Sequence, residues 1–213
     1  MDIIQAPLFG QREQRTRWLF EHFSPLFAAG KVLDVGCYQA PMRRFIGTDR
    51  YTGVDFVGDP DIRLNLEQID RLPFDDGAFD TVICIEVLEH LNNLYALASD
   101  LFRVASSHVL ISLPNAWRDA RMKIARGTGS IAHYGLPLKA PVDRHKWFFN
   151  IEEARKFLEH LAPPGWRCRI TVTEPRRGAL VRCLRRLRYA GAAYANRYGQ
   201  TAWAEYSRDA ASR

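Results

Sequence analysis

The sequence lacks long hydrophobic runs. No stretch approaches the roughly 18 to 20 consecutive apolar residues that a membrane-spanning helix needs. The first residues, Met1 to Gln5, also lack the basic region and the apolar run that mark a secretory signal. We therefore expect a cytoplasmic protein.

Cysteine is scarce and scattered. The four cysteines, Cys37, Cys84, Cys168 and Cys183, form no closely spaced pair. Close pairs are typical of structural zinc sites and of redox dithiols, so the sequence supports neither class. We expect free, mostly buried thiols and no metal site.

Acidic residues are scarce in the last part of the sequence. Residues 176–213 contain nine arginines against Glu205 and Asp209, a net charge of +7, whereas the preceding residues sum to −1. From Leu180, apolar residues recur at helical spacing among the arginines, which predicts a basic amphipathic helix. Such a helix could pack on the domain, lie on an anionic membrane surface or, least favoured, contact RNA. Membrane contact would place the protein peripherally, at the inner face of the membrane.

Apolar residues make up 47% of the 213 residues and aromatic residues 12%, enough for a sizeable core. Helical patterns alternate with short β-like runs at 31–35, 51–54, 62–64, 81–85, 108–112 and 167–173. This alternation predicts a doubly wound α/β fold with a mostly parallel sheet, whose ligands bind beyond the carboxyl ends of the strands. We assign residues 1–175 to this domain and residues 176–213 to a basic helical C-terminal extension. Asn150 and Glu153 predict a capping box at the start of a helix.

Two strand ends carry the candidate chemistry. The apolar run that contains Asp34 leads into Gly36, a residue that lets the backbone approach a ligand. About twenty residues later the next run ends in Asp55, the spacing at which a carboxylate binds the hydroxyls of a ribose. We expect the two acids at neighbouring strand ends.

Further along, Leu72-Pro73-Phe74 precedes a strand that leads into Glu86-Val87-Leu88-Glu89-His90. Together with the two strand ends, this series resembles the class I S-adenosylmethionine-dependent methyltransferases that carry Leu-Pro-Phe and Leu-Glu-His signatures. The resemblance covers roughly residues 32–115. It implies a Rossmann-like methyltransferase fold with a seven-stranded sheet, and S-adenosylmethionine as the cofactor.

The same resemblance implies roles for individual residues. The loop at Gly36 would pass the methionine part of the cofactor, Asp55 would hold the ribose hydroxyls, and Asn65 with Leu66 would flank the adenine. Ile85 and Glu86 would line the pocket near the amino acid end. The complete predicted cofactor set is Asp34, Gly36, Cys37, Tyr38, Asp55, Asn65, Leu66, Ile85 and Glu86.

The chain departs from the family pattern in the first loop. Tyr38 and Ala40 stand where glycines are common, and Asn65 stands where an aspartate is frequent. A positive φ at Tyr38 would cost on the order of 1 kcal/mol or more. If its ring closed the pocket, the chain would be a non-catalytic interaction or membrane-associated module.

An insertion over residues 115–149 follows the fifth strand and would overhang the acceptor side. A hydroxyl acceptor makes a base useful, and histidine titrates near neutral pH. His145 and His133 are therefore the candidate bases, with Asp143 as an orienting carboxylate; packing within the loop is the alternative. We expect His90 to be a structural residue or a wall of the pocket rather than a base.

Segments 133–137 and 143–149 are similar to segments of bacterial methyltransferases from surface-polysaccharide and lipopolysaccharide gene clusters. This similarity implies O-methylation of a small molecule or a lipid-linked sugar. Methylation of RNA or protein is the alternative, although no separate RNA-binding module is visible in the sequence.

Overall fold

The computed structural model describes residues 1–141 and 144–209. Within these ranges the chain forms eight β-strands and seven α-helices. The strands are β1 Asp2–Ala6, β2 Val32–Val35, β3 Tyr51–Asp55, β4 Ile62–Arg63, β5 Phe79–Ile85, β6 Ala105–Pro114, β7 Trp166–Pro175 and β8 Thr201–Arg208. The helices are α1 Arg12–His22, α2 Arg43–Ile46, α3 Leu94–Val104, α4 Ala116–Arg126, α5 Ile151–Leu161, α6 Ala179–Arg188 and α7 Gly191–Tyr198. Short 3-10 turns cover Ser24–Phe27, Leu66–Gln68 and Leu88–His90.

All described strands join one sheet in the order β1-β7-β8-β6-β5-β2-β3-β4. Pairing is parallel except at β8, which runs antiparallel to both of its neighbours. The predicted doubly wound, mostly parallel α/β fold is therefore confirmed. The carboxyl ends of β2, β3, β5 and β6 lie at one edge, where ligands bind in this architecture.

The sheet has one strand more than the seven expected. β1 pairs in parallel with β7 at the outer edge, with Ile3 opposite Val172. No strand was expected before residue 31. An apolar stretch of two isoleucines is too short to be distinguished from a loop by periodicity.

Residues 201–208 correct a second expectation. The extension after residue 175 begins with helices α6 and α7 but continues into β8, so it is not wholly helical. Trp203 and Tyr206 of β8 are fully buried. Both faces of β8 are covered and two of its residues are alanines, which favour helices, so the alternation expected of a strand is faint.

Helices cover both faces of the sheet, because alternate strand residues enter two hydrophobic clusters. Val82 and Cys84 of β5 join the cluster that includes α3 and α5, whereas Ile83 joins the cluster that includes α1. None of the helices in residues 1–141 and 144–209 has the length and apolar composition required to span a bilayer.

Two caps fix the elements around the insertion. The predicted capping box is present at α5: Glu153 N donates to Asn150 Oδ1, and Asn150 N donates to Glu153 Oε2, both at 3.0 Å. Asn115 caps α4, and its amide donates to the carbonyls of Asn196 (2.9 Å) and Gly199 (2.8 Å). The end of β6 is thereby tied to α7.

Candidate active site

A cleft of about 750 Å³ opens at the carboxyl edge of the sheet. β2 and β3 pair in parallel with Asp34 opposite Gly53 and Val35 opposite Val54, so their ends lie side by side. Six of the nine predicted cofactor residues line the cleft. They are Gly36, Tyr38, Asp55, Asn65, Leu66 and Glu86.

Gly36 makes the turn at the end of β2. Its φ is 82°, and a Cβ placed on it would lie 2.3 Å from Val87 Cγ2. A larger residue would therefore force apart the β2 loop and the segment that follows β5. The close approach of these two segments forms the inner wall of the cleft.

The loop after Gly36 adopts the backbone conformation that glycine usually supplies, although it carries side chains. Tyr38 has φ 51° and Ala40 has φ 49°. Tyr38 is 37% exposed. The carbon of the Arg12 guanidinium lies over its ring, 4.6 Å from the ring centre. The ring forms part of the wall and leaves the cleft open.

Asp55 lies at the end of β3 and holds this loop. Its Oδ2 accepts a hydrogen bond from Tyr38 N (2.8 Å), and its Oδ1 accepts one from Val57 N (3.1 Å). Each carboxylate oxygen keeps a second lone pair. The carboxylate is thus oriented by backbone amides and can still accept from two ligand hydroxyls.

Asp34 is buried beneath the loop. Tyr51 Oη donates to its Oδ2 at 2.7 Å. Burial raises the pKa of Asp34 to about 6; the Tyr51 hydrogen bond opposes this rise, and the charge of Asp55 adds to it. A small space of about 30 Å³ beside Asp34 is also lined by Arg12, Arg15, Cys37 and Ile85. Cys37 and Ile85 therefore lie below the main cleft.

Glu86 links the cleft to the centre of the sheet. It forms an ion pair with Arg15 of α1, and its Oε1 accepts from Thr201 Oγ1 of β8 at 3.3 Å. Its φ is 52°, and its amide donates to Ser112 O at 3.1 Å. This strained position turns the chain from β5 into the Leu88–His90 turn.

Asn65 and Leu66 form the other end of the cleft. Asn65 Oδ1 accepts from Glu67 N at 3.1 Å and starts the Leu66–Gln68 turn. Leu66 is largely buried but still lines the cleft. An aspartate at position 65 could accept the same hydrogen bond, so the departure from the family pattern is mild.

Arg12 and Arg15, on the first turns of α1, were not among the predicted site residues. Arg12 lines the cleft, and both residues line the small space beside Asp34. The sequence offers one sign of their role, two arginines three residues apart on one helical face. Arginines on a solvent-exposed helix face have the same spacing, so the sequence does not separate the two cases.

Three histidine rings cluster beside the cleft. His133 and His145 stack with centroids 4.4 Å apart, and His90 lies edge-on to His145 at 4.5 Å. His90 lines the cleft, as expected, whereas His133 and His145 lie behind it. Asp143, the expected orienting carboxylate, lies outside the described residues.

His145 is neutral at physiological pH. Burial, then the charges of His90 and His133, lower its pKa to about 3. The Tyr134 hydroxyl donates to Trp147 O (2.6 Å) and lies 3.1 Å from His145 Nδ1. Because that hydroxyl has a single proton, His145 Nδ1 donates to it. The other ring nitrogen, Nε2, then carries a lone pair.

Glu89, His90 and His145 each place one ligand-type atom within 4.8 Å of the others. One carboxylate and two imidazoles are ligand types that zinc accepts. The absence of a metal site stays a prediction.

A second, apolar cavity of about 320 Å³ lies on the other side of the Leu88–His90 turn. Its walls include Glu89 and five aromatic residues, namely Tyr95, Trp147, Phe148, Phe149 and Phe157. Trp147 Nε1 donates to Leu91 O at 2.8 Å, and Lys146 Nζ pairs with Glu67 at 2.5 Å. The end of the insertion is thus fastened to both walls of the cleft.

The sequence model of a family described as a methyltransferase domain matches residues 9–196. No curated protein matches the sequence. Solved structures do match it, at low sequence identity.

One is a SAM-dependent methyltransferase from Archaeoglobus fulgidus, with a TM-score of 0.59 and 16% identity, covering 94% of this chain and 95% of that one. Another is the magnesium protoporphyrin IX methyltransferase of Synechocystis PCC 6803 with bound SAH, with a TM-score of 0.53 and 15% identity, covering 92% and 83%. A third is a putative S-adenosylmethionine-dependent methyltransferase from Listeria monocytogenes, with a TM-score of 0.52 and 13% identity, covering 92% and 99%. At these identities the likeness concerns the fold.

Proposed function

The chain belongs to the methyltransferase domain family, and from this premise we propose that it transfers a methyl group from S-adenosylmethionine to an oxygen of a small-molecule or lipid-linked sugar acceptor. The observation that carries the proposal is the position of Asp55, whose oriented carboxylate faces a cleft beside the close Gly36–Val87 contact. The volume of that cleft falls within the roughly 300–1,000 Å³ typical of small-molecule sites.

The residues of the cleft fit such a cofactor. Asp55 would hold the ribose hydroxyls, and Asn65 with Leu66 would flank the adenine. Gly36, Tyr38 and Glu86 would line the amino acid end, with Asp34, Cys37 and Ile85 beneath them. When bound, S-adenosylmethionine would supply a methyl group on its sulfonium sulfur for in-line transfer to the acceptor oxygen.

Alignment and exclusion of water contribute much of the rate in such a displacement. An oxygen that gains a methyl group while it holds its proton becomes strongly acidic, so a weak base suffices to remove the proton. In this proposal the imidazole cluster serves that purpose: His90 lines the cleft, and His145, stacked on His133, provides a neutral ring with a lone pair. Asp143 would orient the cluster.

The aromatic cavity favours an acceptor with an apolar part. Trp147, Phe148 and Phe149 offer flat faces that suit a sugar ring or a lipid chain. Glu89 supplies an acceptor of hydrogen bonds at the cleft side of this cavity. The similarity of segments 133–137 and 143–149 to methyltransferases of surface-polysaccharide clusters agrees with a lipid-linked sugar.

Cofactor binding is tested by calorimetry with S-adenosylmethionine. We expect saturable binding that Asp55→Ala weakens by at least about 100-fold, because the ribose loses a charged partner. Asp49→Ala is the matched control, since Asp49 is an exposed aspartate near the opposite end of β3; its affinity should equal that of the unmodified protein. Absence of binding by folded protein would favour the non-catalytic module.

The acceptor class is tested with S-adenosylmethionine that carries a labelled methyl group. Label should enter a bacterial glycolipid fraction as a base-stable ether. Label in total RNA, with binding that weakens steeply as salt rises, or label in total protein, would instead support the alternative acceptors.

A further inference from the structure

Helix α6 presents its apolar side to solvent. None of its residues is buried. Leu180, Leu184 and Leu187, at the spacing of one helical face, are 73%, 58% and 79% exposed. On the surface of a soluble domain, an amphipathic helix usually turns its apolar stripe towards the domain.

The arginines of α6 make the contacts with the domain instead. Arg182 Nε donates to Glu174 Oε1 (3.0 Å), and the carbon of the Arg185 guanidinium lies 4.3 Å from the centre of the Tyr198 ring. Glu174 is almost completely buried and also accepts from Tyr194 Oη at 2.6 Å. The leucines therefore face outward because the opposite face of the helix is anchored.

The surroundings of this stripe are strongly basic. Between Glu174 and Glu205 the chain has seven arginines and no acidic residue. Arg176, Arg177 and Arg188 are exposed around the helix. Trp117 and Ile124 of α4, also exposed, line a groove of about 610 Å³ together with Tyr189. The groove extends the apolar surface past the end of α6.

We propose that this surface, defined by Leu180, Leu184 and Leu187 with Trp117 and Ile124, docks on a bilayer that contains anionic phospholipid. The leucines enter the boundary between headgroups and acyl chains, and the exposed arginines pair with lipid phosphates. A bilayer fits better than RNA, because a phosphate backbone would pair with the exposed arginines but would leave the three exposed leucines in water. A second copy of the chain is disfavoured, since it would bring two positively charged rims together.

The docking surface lies beside the proposed acceptor side. Phe148 lines both the groove at α4 and the aromatic cavity. A protein bound through α6 would therefore hold that cavity close to the membrane. The proposal concerns the surface alone and does not depend on methyl transfer.

The test is co-sedimentation of the full chain with phosphatidylcholine vesicles that contain or lack phosphatidylglycerol. We expect binding to the anionic vesicles and at least about tenfold weaker binding to vesicles of phosphatidylcholine alone. Leu187→Glu should weaken binding to anionic vesicles by about tenfold or more. The matched control is Leu8→Glu, the same change at another exposed leucine, and it should bind within about twofold of the unmodified protein.

Circular dichroism of each variant verifies the fold. Equal losses in both variants, or an unmodified protein that does not sediment with anionic vesicles, would overturn the proposal. So would a dimer that Leu187→Glu dissociates, or salt-sensitive binding to single-stranded RNA, in the absence of vesicle binding.

Discussion

The cofactor end and the acceptor end of the cleft are built from different kinds of contact. At the cofactor end, Asp34 and Asp55 belong to paired strands, and backbone amides or the Tyr51 hydroxyl orient their carboxylates. At the acceptor end, the described residues between α4 and α5 form no helix or strand. His133, Tyr134 and His145 are held there by ring stacking, one shared hydroxyl and backbone hydrogen bonds of the loop itself, such as the one from His145 N to His133 O at 3.2 Å.

This difference separates what the fold determines from what individual side chains determine. Strand pairing places the two acids near the ends of neighbouring strands for any sequence that keeps the sheet. The histidine cluster depends on a few contacts within one loop, so it can vary while the sheet remains. We therefore expect the cofactor end to respond to charge and backbone changes, and the acceptor end to respond to the loss of single rings.

The largest expected effect is on stability at the cofactor end. The pKa of Asp34 is raised from 3.8 to about 6, a difference that corresponds to about 3 kcal/mol. The folded protein holds a proton that the unfolded chain releases, so the free energy of unfolding should fall as pH rises from about 4 to about 6. Asp34→Asn keeps an acceptor for Tyr51 without the charge, and should stabilise the protein by up to about 3 kcal/mol at neutral pH.

Urea denaturation of both proteins at several pH values measures this difference. The stabilisation by Asp34→Asn should disappear near pH 4, and cofactor affinity should fall in the same variant. Asp49→Asn, at an exposed position, should change neither quantity. A gain in stability that does not vary with pH would show that the buried charge is not its cause.

At the acceptor end, His145→Ala should lower turnover by about 100-fold, the low end of the range for acid–base catalysis. Cofactor affinity should stay the same, because His145 does not line the cleft. Turnover is followed as labelled methyl transferred to the glycolipid fraction, and affinity by calorimetry. His160→Ala, an exposed histidine on α5, is the control. Equal turnover in His145→Ala would leave the cluster with a packing role only.

The smallest expected effect concerns the strained loop at the cofactor end. Tyr38→Gly removes the cost of a positive φ, whereas Tyr38→Ala removes the ring and keeps that cost. The glycine variant should be more stable than the alanine variant by about 1 kcal/mol. Both should bind the cofactor within about threefold of the unmodified protein. Thermal unfolding and calorimetry measure these quantities, and a steep loss of affinity in both variants would show that the ring contacts the ligand.

Much of the cofactor half of the fold could be predicted from sequence. The runs before Gly36 and Asp55 are short, apolar and bounded by turns, so their period and spacing indicate parallel strands. The Asn150–Glu153 capping box was predicted for the same reason, because its signal is local. The sequence also shows Tyr38 where glycine is common, and the structure gives this residue a positive φ of 51°.

Long-range arrangements could not be predicted in the same way. β8 was missed because consecutive residues on both of its faces are buried and two of them are alanines, so no alternation marks it as a strand. Its position is set by pairing with β6 and β7. Arg12 and Arg15 were missed because nothing in the sequence of α1 shows which of its faces meets the cleft. The outward leucines of α6 depend on Glu174, which lies outside the helix and accepts from Arg182.

The position of β8 also determines how the sheet comes apart. β6 and β7 pair with β8 and not with each other. Without β8 the sheet becomes a five-stranded piece and a two-stranded ribbon of β1 and β7, and an isolated ribbon of that kind is marginally stable in water. Exchange of the β8 amide hydrogens should therefore require opening of the whole sheet, and these amides should be among the slowest to exchange in the molecule.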